Sequence, residues 1–583
     1  MKLHFFRLSR AQYIAIITVL LMALFVVRLF HIQVIQHALY VEQADSEHIK
    51  QFTLHAKRGE IYTMDSGVPH KLVMNETVYT VWADPTMIVD KQAVVTAINK
   101  IAGGNARNDF AKYLDVKKSR YQVLATKVSR KQAQMLKKEN LPGIGFDAVS
   151  QRVYPEGQLA SQVLGFVDAE GKGKYGFEQA NDATLRGVDG MLKTVTDVRS
   201  VPLTVSDKNI KKPAVDGKNM VLTIDRNVQA RVEQALADGL ARSGAKKASA
   251  IVMDPQTGKI LAMANLPTYD PGKLNEIKDE DQVSNDVITH PYEVGSDVKT
   301  FTMAMGVDKG VITPGTTYNN TDSIRVEDIT IKNASLGHTG DITMQKALNL
   351  SLNTGVVTVA QLLGDGSRIT RGARNTIYDY FYNRFRLGQV TGVELANESA
   401  GVVISPDHVQ GNAVRYSNMV FGQGMDVTML QVASGFSAIV NGGIYHMPTV
   451  IAGSIDQDGQ FKEAPLKRQF PGVISASSSA TIREMVHQAH YATYNPKGDG
   501  SERYLVGGKT GTSQTIINGK YVDNQTVGTY LGYGGEKGAT PSYVAMVEIS
   551  APGKNMGGGA DAKPIFNEIS NWMLGYLRLT PKE

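Results

Sequence analysis

The sequence predicts an α+β fold: an antiparallel sheet covered by helices, preceded by a mixed, turn-rich domain and one apolar helix of membrane-spanning length. Three observations carry that expectation. Strand-like runs stand at both ends of residues 216–583, with helical segments between them and at both termini of that part. Residues 33–215 are polar, mixed and divided into short runs by turn residues. Ahead of both lies the apolar run from Ala11 to Val27.

Lys2, Arg7 and Arg10 precede that run, and after Arg28 the apolar character resumes with Leu29 and Phe30. A segment of about 20 residues is long enough to cross the hydrocarbon core, and Arg28 can snorkel to the far interface. The basic residues ahead of it place a tail, 1–10, in the cytoplasm and the body of the chain outside. The residues that follow, HIQVIQHALY, hold no small-x-small cleavage site, so 11–32 reads as an uncleaved signal anchor.

Between the anchor and about Asp216, ETVYTVWADP reads as a turn-bounded strand and KQAVVTAINKIAG as a helix. The Lys-rich stretch SDKNIKKPAVDGKN then marks a domain boundary. After it, MVLTIDRNVQARVEQALADGL runs from an apolar strand into an amphipathic helix. In ASAIVMDPQTGKILAMANLP the central PQTGK is turn chemistry, so the segment is a hairpin. Near the other end VGTYLGYGG and SYVAMVEIS are two strands joined by EKGATP. The closing AKPIFNEISNWMLGYLRL places Ile565, Ile569, Trp572 and Tyr576 on one helical face.

At 583 residues the chain is long enough for two or three domains. Its 42% hydrophobic and 20% charged content describes a folded protein. The net charge of +6 is spread out, with no basic block interleaved with aromatics, which excludes a nucleic-acid groove. There is no cysteine, hence no disulfide framework and no thiolate metal site.

Three short motifs occur in order: Ser296-Asp-Val-Lys299, Ser351-Leu-Asn353 and Lys509-Thr-Gly-Thr512. They spell the S-x-x-K, S-x-N and K-T-G set of enzymes that acylate a serine. A second S-x-x-K, Ser243-Gly-Ala-Lys246, lies in the polar stretch ARSGAKKAS and reads as a turn. Ser296 instead opens a helix whose Val298, Phe301, Thr302 and Met305 form one buried stripe closed by Gly310, with Lys299 on the same face as Ser296. A serine hydroxyl needs a base, and Lys299 is the candidate, provided that burial and a second cation favour its neutral amine. Lys509 supplies that cation if the fold brings its strand alongside. Ser351 can relay a proton to the leaving amine, and Asn353 offers an amide to the substrate; MQKALNLSLNTGVVTVAQ reads as two helices meeting there. Lys509, Thr510 and Thr512 on the edge strand YLVGGKTGTSQ would bind a terminal carboxylate, with Gly511 allowing close approach of the substrate backbone.

Glu484, His487 and His490 could share one helix face but lack the H-E-x-x-H order, so a solvated face is the reading and no metal site is assigned. Gly557 to Gly559, without a following Lys-Ser/Thr, read as a turn before the last helix.

In this setting the motif triplet resembles the penicillin-binding proteins. Arg58-Gly-Glu-Ile61 with Asp65-Ser-Gly67, Arg152-Val-Tyr-Pro-Glu-Gly157, Gly176-Phe-Glu178, Leu222-Thr-Ile-Asp225, Asn265-Leu-Pro-Thr-Tyr-Asp270 and Phe421-Gly-Gln-Gly424 are similar to the class B group, and Asn285-Asp-Val-Ile-Thr arriving at Gly295-Ser296, together with the FGQG and TYDP blocks, is most similar to its septal division transpeptidases. Three departures bear on substrate preference and drug affinity: Val294 and Met429 stand where the family has proline, and Asp297 is an unusual acid directly after the nucleophile. The resemblance implies a transpeptidase domain of the penicillin-binding/β-lactamase-like fold over 216–583, a pedestal of the dimerisation-domain type over 33–215, and an oxyanion hole from the backbone N–H groups of Ser296 and Thr512. It implies a D,D-transpeptidase acting on peptidoglycan stem peptides that end in D-Ala-D-Ala, acylated by β-lactams, with no cofactor. The implied partners are the membrane, a polytopic membrane glycosyltransferase and other division proteins, since no polymerase block precedes the catalytic part. Two alternatives stay open: a hydrolase of the D,D-carboxypeptidase or β-lactamase type, and a non-catalytic β-lactam sensor or division scaffold.

Overall fold

The computed structural model describes residues 9–40, 49–195, 210–492, 501–517 and 520–582. The chain forms two compact units, one of residues 1–57 and 187–217, the other of 58–186 and 218–583. In the first, helix α1 (Arg10–Phe30) starts at Ser9, whose hydroxyl accepts from the Gln12 N–H while the Gln12 amide returns the bond, a capping box that fixes the helix start. The helix continues through a wider turn at His31–Ile35, and the whole stretch Arg10–Ile35 is long and apolar enough to cross a membrane. Lys2 and Arg7, on which the predicted orientation leans, lie outside the described residues. The same unit holds a three-stranded antiparallel sheet of Ile49–Leu54, Gly190–Val195 and Ile210–Lys212.

The second unit has two main sheets. The K-T-G motif belongs to a five-stranded antiparallel one, built from β2 (Lys247–Met253), β3 (Ile260–Leu266), β4 (Leu505–Ile517), β5 (Lys520–Gly535) and β6 (Tyr543–Ser550) in the order β3-β2-β6-β5-β4. The predicted hairpin and the two late strands are all in it. Alternate side chains of β2 enter two different cores. Ala250 and Val252 pack with α2 (Arg226–Ser243) and α8 (Lys563–Tyr576), while Ile251 and Met253 face the helical centre. Burial of both faces explains why AIVM shows no polar alternation.

The strand β1 (Asn219–Asp225) goes elsewhere. It pairs in parallel with Ile61–Asp65 and antiparallel with Ile451–Ile455 in a seven-stranded sheet. This sheet gathers motifs far apart in the chain. Arg58 and Arg152 both bond to the Glu178 carboxylate at 2.8 Å through Nε, so three of the blocks that carry the family likeness converge on one buried acid.

The centre of the unit is α3 (Lys299–Asp308), packed among α5 (Asn353–Leu362), α6 (Met429–Val440) and α7 (Ala476–Ala492). A single buried stripe was expected, but Lys299 to Gly306 are all buried. Thr300 and Thr302 make this possible: their hydroxyls bond the carbonyls of Asp297 and Val420, each at 2.7 Å, and need no water. The histidines of α7 also depart from expectation. His490 is 1% exposed with Nδ1 2.6 Å from the Tyr530 hydroxyl, and His487 Nδ1 lies 2.6 Å from the Val506 carbonyl. Because α7 lies against β4, the face read as solvated is largely inside, and only Glu484 of the three is exposed.

Candidate active site

Ser296 sits in one turn of 3₁₀ helix, Gly295–Val298, that leads directly into α3. In such a turn residues three apart eclipse, which places Lys299 above Ser296. From Tyr292 to Gly306 every residue is buried except Ser296. Two glycines shape the approach. Gly295 has φ +68° and Gly422, in the FGQG block, has φ +98°; the Gly295 N–H donates to the Gly422 carbonyl at 3.0 Å. A Cβ on Gly422 would lie 1.8 Å from the Gly295 oxygen, and one on Gly295 would lie 2.7 Å from the Thr512 oxygen. Glycine is therefore required at both positions, and the second contact seats the Ser296 turn on the K-T-G segment of β4.

The amines meet at Ser351. This residue joins α4 (Met344–Asn349) to α5 in the left-handed conformation, φ +57°, which costs about 1–3 kcal/mol for a residue other than glycine. Lys299 Nζ donates to the Ser351 carbonyl at 2.6 Å and lies 3.3 Å from its hydroxyl. From the other side Lys509 Nζ donates to the same hydroxyl at 2.9 Å, and also to the carbonyl and hydroxyl of Thr510 at 2.9 and 3.3 Å. Both lysines are buried, 1% and 4% exposed. Burial, helped by the positive charge of Lys509, holds the Lys299 amine well below the usual lysine range. Burial also pushes Lys509 down to about 8, opposed by the negative charge of Asp297.

On β4 the side chains alternate: Lys509, Gly511 and Ser513 are buried, while Thr512 and Gln514 are exposed. β4 is the last strand of its sheet, and it packs against the Ser296 turn. Thr512 Oγ1 accepts from the Gly558 N–H at 3.2 Å, and a Cβ on Gly558 would lie 2.2 Å from the Gly511 oxygen. Gly557 to Gly559 thus brace the strand from behind as well as leading into α8, a role that the bare sequence does not reveal. Asn353 is at the start of α5; its Nδ2 donates to the Lys332 carbonyl at 2.8 Å, leaving the Oδ1 acceptor for another partner. The second S-x-x-K is a helix end, with Gly244 at φ +68° and the Ser243 hydroxyl spent on the Gly239 carbonyl at 2.7 Å.

The penicillin-binding protein transpeptidase model matches residues 248–571, and the penicillin-binding protein dimerisation model matches 53–222. The chain belongs to the class B penicillin-binding proteins. Penicillin-binding protein PbpB of Mycolicibacterium smegmatis is 31% identical over 75% of this penicillin-binding protein, which spans 66% of that relative's length. Peptidoglycan D,D-transpeptidase FtsI of Escherichia coli is 28% identical over 95% of the chain and 89% of its own. Among solved structures, penicillin-binding protein 3 of Mycobacterium tuberculosis in complex with aztreonam is 25% identical, covers 91% of the chain and 98% of its own, and has a TM-score of 0.65.

Proposed function

We propose that this protein is a peptidoglycan D,D-transpeptidase working through a serine acyl-enzyme on Ser296. The observation that carries the reading is the convergence of two buried lysine amines on Ser351, beside the one accessible residue of a buried helix start. The Ser296 oxygen attacks the carbonyl between the two terminal D-alanines of a stem peptide, and its proton passes to the neutral Lys299 amine. The backbone N–H groups of Ser296 and Thr512 hold the developing oxyanion; one such donor is worth about a hundredfold to a thousandfold in rate. Lys509, Thr510 and Thr512 bind the terminal carboxylate, and Asn353 holds the stem peptide bond. A proton relayed through the Ser351 hydroxyl reaches the leaving amine, D-Ala departs, and the amine of a neighbouring stem peptide takes the acyl group. A β-lactam enters as an amide whose leaving group stays attached, so the ester persists.

The catalytic part, 216–583, and the pedestal, 33–215, stand outside the membrane in this reading, with 11–32 as a single-pass anchor and the tail 1–10 in the cytoplasm. The likeness to FtsI supports a septal role, with strand polymerisation supplied by a polytopic glycosyltransferase among other division proteins. The test is labelling of the full chain in detergent by a fluorescent penicillin, with the adduct located by mass spectrometry. An adduct on Ser296 that vanishes in Ser296→Ala is expected; an adduct elsewhere ends the reading. Adding a D-Ala-D-Ala donor with an amine acceptor then separates transfer from hydrolysis, since only transfer yields the cross-linked product.

A further inference from the structure

We propose that Asp297 is a positioning residue of this site, whose buried carboxylate pins the K-T-G strand through Thr529 and keeps the shared proton on Lys509, leaving Lys299 free to act as base. The proposal rests on the acylation reading above and goes beyond it, because the acid directly after the nucleophile is a feature of this chain.

Geometry comes first. Asp297 is fully buried behind Ser296, and its Oδ2 accepts from the Thr529 hydroxyl at 2.7 Å. Thr529 stands on β5 directly opposite Gly511 of β4. A Cβ on Gly511 would lie 2.8 Å from the Asp297 Oδ2 and 2.1 Å from the Thr529 Oγ1, so the carboxylate sits directly beneath the glycine of K-T-G. Its other oxygen, Oδ1, has no hydrogen-bond partner among the described residues. A carboxylate in that state is costly unless a cation nearby compensates it.

The cation is identified by counting donors. Lys509 Nζ contacts three acceptors, which is the full complement of an ammonium. Lys299 contacts only the carbonyl and hydroxyl of Ser351, and a neutral amine with two hydrogens satisfies these while keeping a lone pair for Ser296. One charge on Lys509 and one on Asp297 cancel within the dry cluster. Without the acid, the acceptor count still favours Lys509, but the charge that strengthens this preference is gone. Burial pushes Asp297 up to about 7, while the Thr529 bond and the Lys509 charge pull it back. The Lys509 charge favours the ionised carboxylate and the carboxylate favours the protonated amine, each opposing what burial does to the other.

The other groups facing this cluster are the phenols of Tyr292 and Tyr530, both held neutral by burial. Beyond them, Glu548 of β6 stands opposite Thr529 and is pushed up to about 7 by burial and by Asp286. Lys563 is pushed down to about 8 by burial and the Lys509 charge. None of these replaces Asp297, the ionisable group in contact with both Thr529 and the Gly511 position; the Val294 carbonyl, 3.5 Å from the Thr529 hydroxyl, is the other acceptor there and carries no charge.

The test is the pH dependence of Ser296 acylation in the full chain, measured by stopped labelling with a fluorescent penicillin. In Asp297→Asn the alkaline limb, set by loss of the Lys509 proton, moves at least about one pH unit lower, which is about fivefold in rate at pH 8 and approaches about tenfold at higher pH. The variant's rate at pH 6 stays within about threefold of native, since Asp297 is already protonated there. Thr529→Val keeps the acid but removes its hydrogen bond, and it moves the limb the same way by less. If Asp297→Asn fails to fold, judged by circular dichroism, Thr529→Val decides alone. An alkaline limb unmoved in the folded variants overturns the proposal while native labelling at Ser296 keeps the acylation reading intact; absence of a Ser296 adduct in the native protein removes the reading itself.

Discussion

The chain carries S-x-x-K twice, and the two copies have opposite fates. Ser296-Asp-Val-Lys299 begins a helix, whereas Ser243-Gly-Ala-Lys246 ends one. At the end of α2 the Ser243 hydroxyl turns back onto the Gly239 carbonyl, one helical turn earlier, and Lys246 is exposed. At the start of α3 a 3₁₀ turn stacks Lys299 over Ser296 and carries the amine into a dry cluster with Lys509 and Ser351. Identical spacing yields a nucleophile only where the helix runs into the core from the serine, because that direction buries the lysine and leaves the serine at the surface.

The sharpest way to break this comparison is to mutate each copy alone. Ser296→Ala abolishes penicillin labelling, and Lys299→Ala lowers the acylation rate by about a hundredfold to ten-thousandfold, the range for loss of a general base. Ser243→Ala and Lys246→Ala leave the labelling rate unchanged. Rates from the four variants under one set of conditions check all of this, and loss of labelling in either second-copy variant would place the chemistry at the wrong motif.

The next effect separates the two amines at the active copy. In the proposed mechanism Lys299 must be neutral to accept the Ser296 proton, so the rate rises with pH as this depressed amine loses its own proton. In the same mechanism Lys509 must stay charged to hold the substrate carboxylate, so the rate falls as pH passes about 8. The acylation rate therefore follows a bell whose alkaline limb lies near 8, two units and more below an exposed lysine. Lys509→Arg, whose guanidinium does not titrate in this range, removes that limb while lowering the maximum. A limb left in place in Lys509→Arg would assign the alkaline step to another group.

These amines were readable from sequence as types and order, and so were the hairpin, the late strands, α8 and the two helices that meet at Ser351. Each follows from local periodicity or turn chemistry, which the sequence carries within ten or twenty residues. What escaped were contacts whose cause lies elsewhere in the chain. Nothing in MVLTID says that β1 will pair with Ile61–Asp65, because its apolar run suits either sheet. The all-round burial of α3 depends on Val420 offering Thr302 a carbonyl. His490 reads as a polar residue until Tyr530 meets it from β5. Arg58, Arg152 and Glu178 carry the family likeness in the sequence, and only the fold reveals them as one buried ion cluster.

Glycine extends the comparison to stability. Gly422 of the FGQG block and Gly244 at the end of α2 both have φ in the left-handed region, +98° and +68°. Around Gly422 a Cβ would strike the Gly295 backbone, which cannot yield without moving Ser296. Gly422→Ala therefore costs about 2–4 kcal/mol from steric displacement and backbone strain together, and it lowers the acylation rate with the melting temperature.

At Gly244 the only neighbour within reach of a Cβ is the Lys554 ammonium at 3.0 Å, the far end of a flexible side chain that swings aside. The cost of Gly244→Ala is then mainly the left-handed backbone, about 1 kcal/mol, since the bond that Lys554 gives up to the Gly244 carbonyl, 3.2 Å, is exposed and replaced by water. In a unit of this size that lowers the melting temperature by a few degrees at most. The acylation rate at 25 °C stays at the native value, because the helix end lies outside the site that Ser296, Ser351 and Lys509 define. Thermal denaturation and labelling measured side by side check both halves. A labelling defect in Gly244→Ala would tie the inactive copy to the active one, and the contrast between a helix start and a helix end would no longer account for which serine reacts.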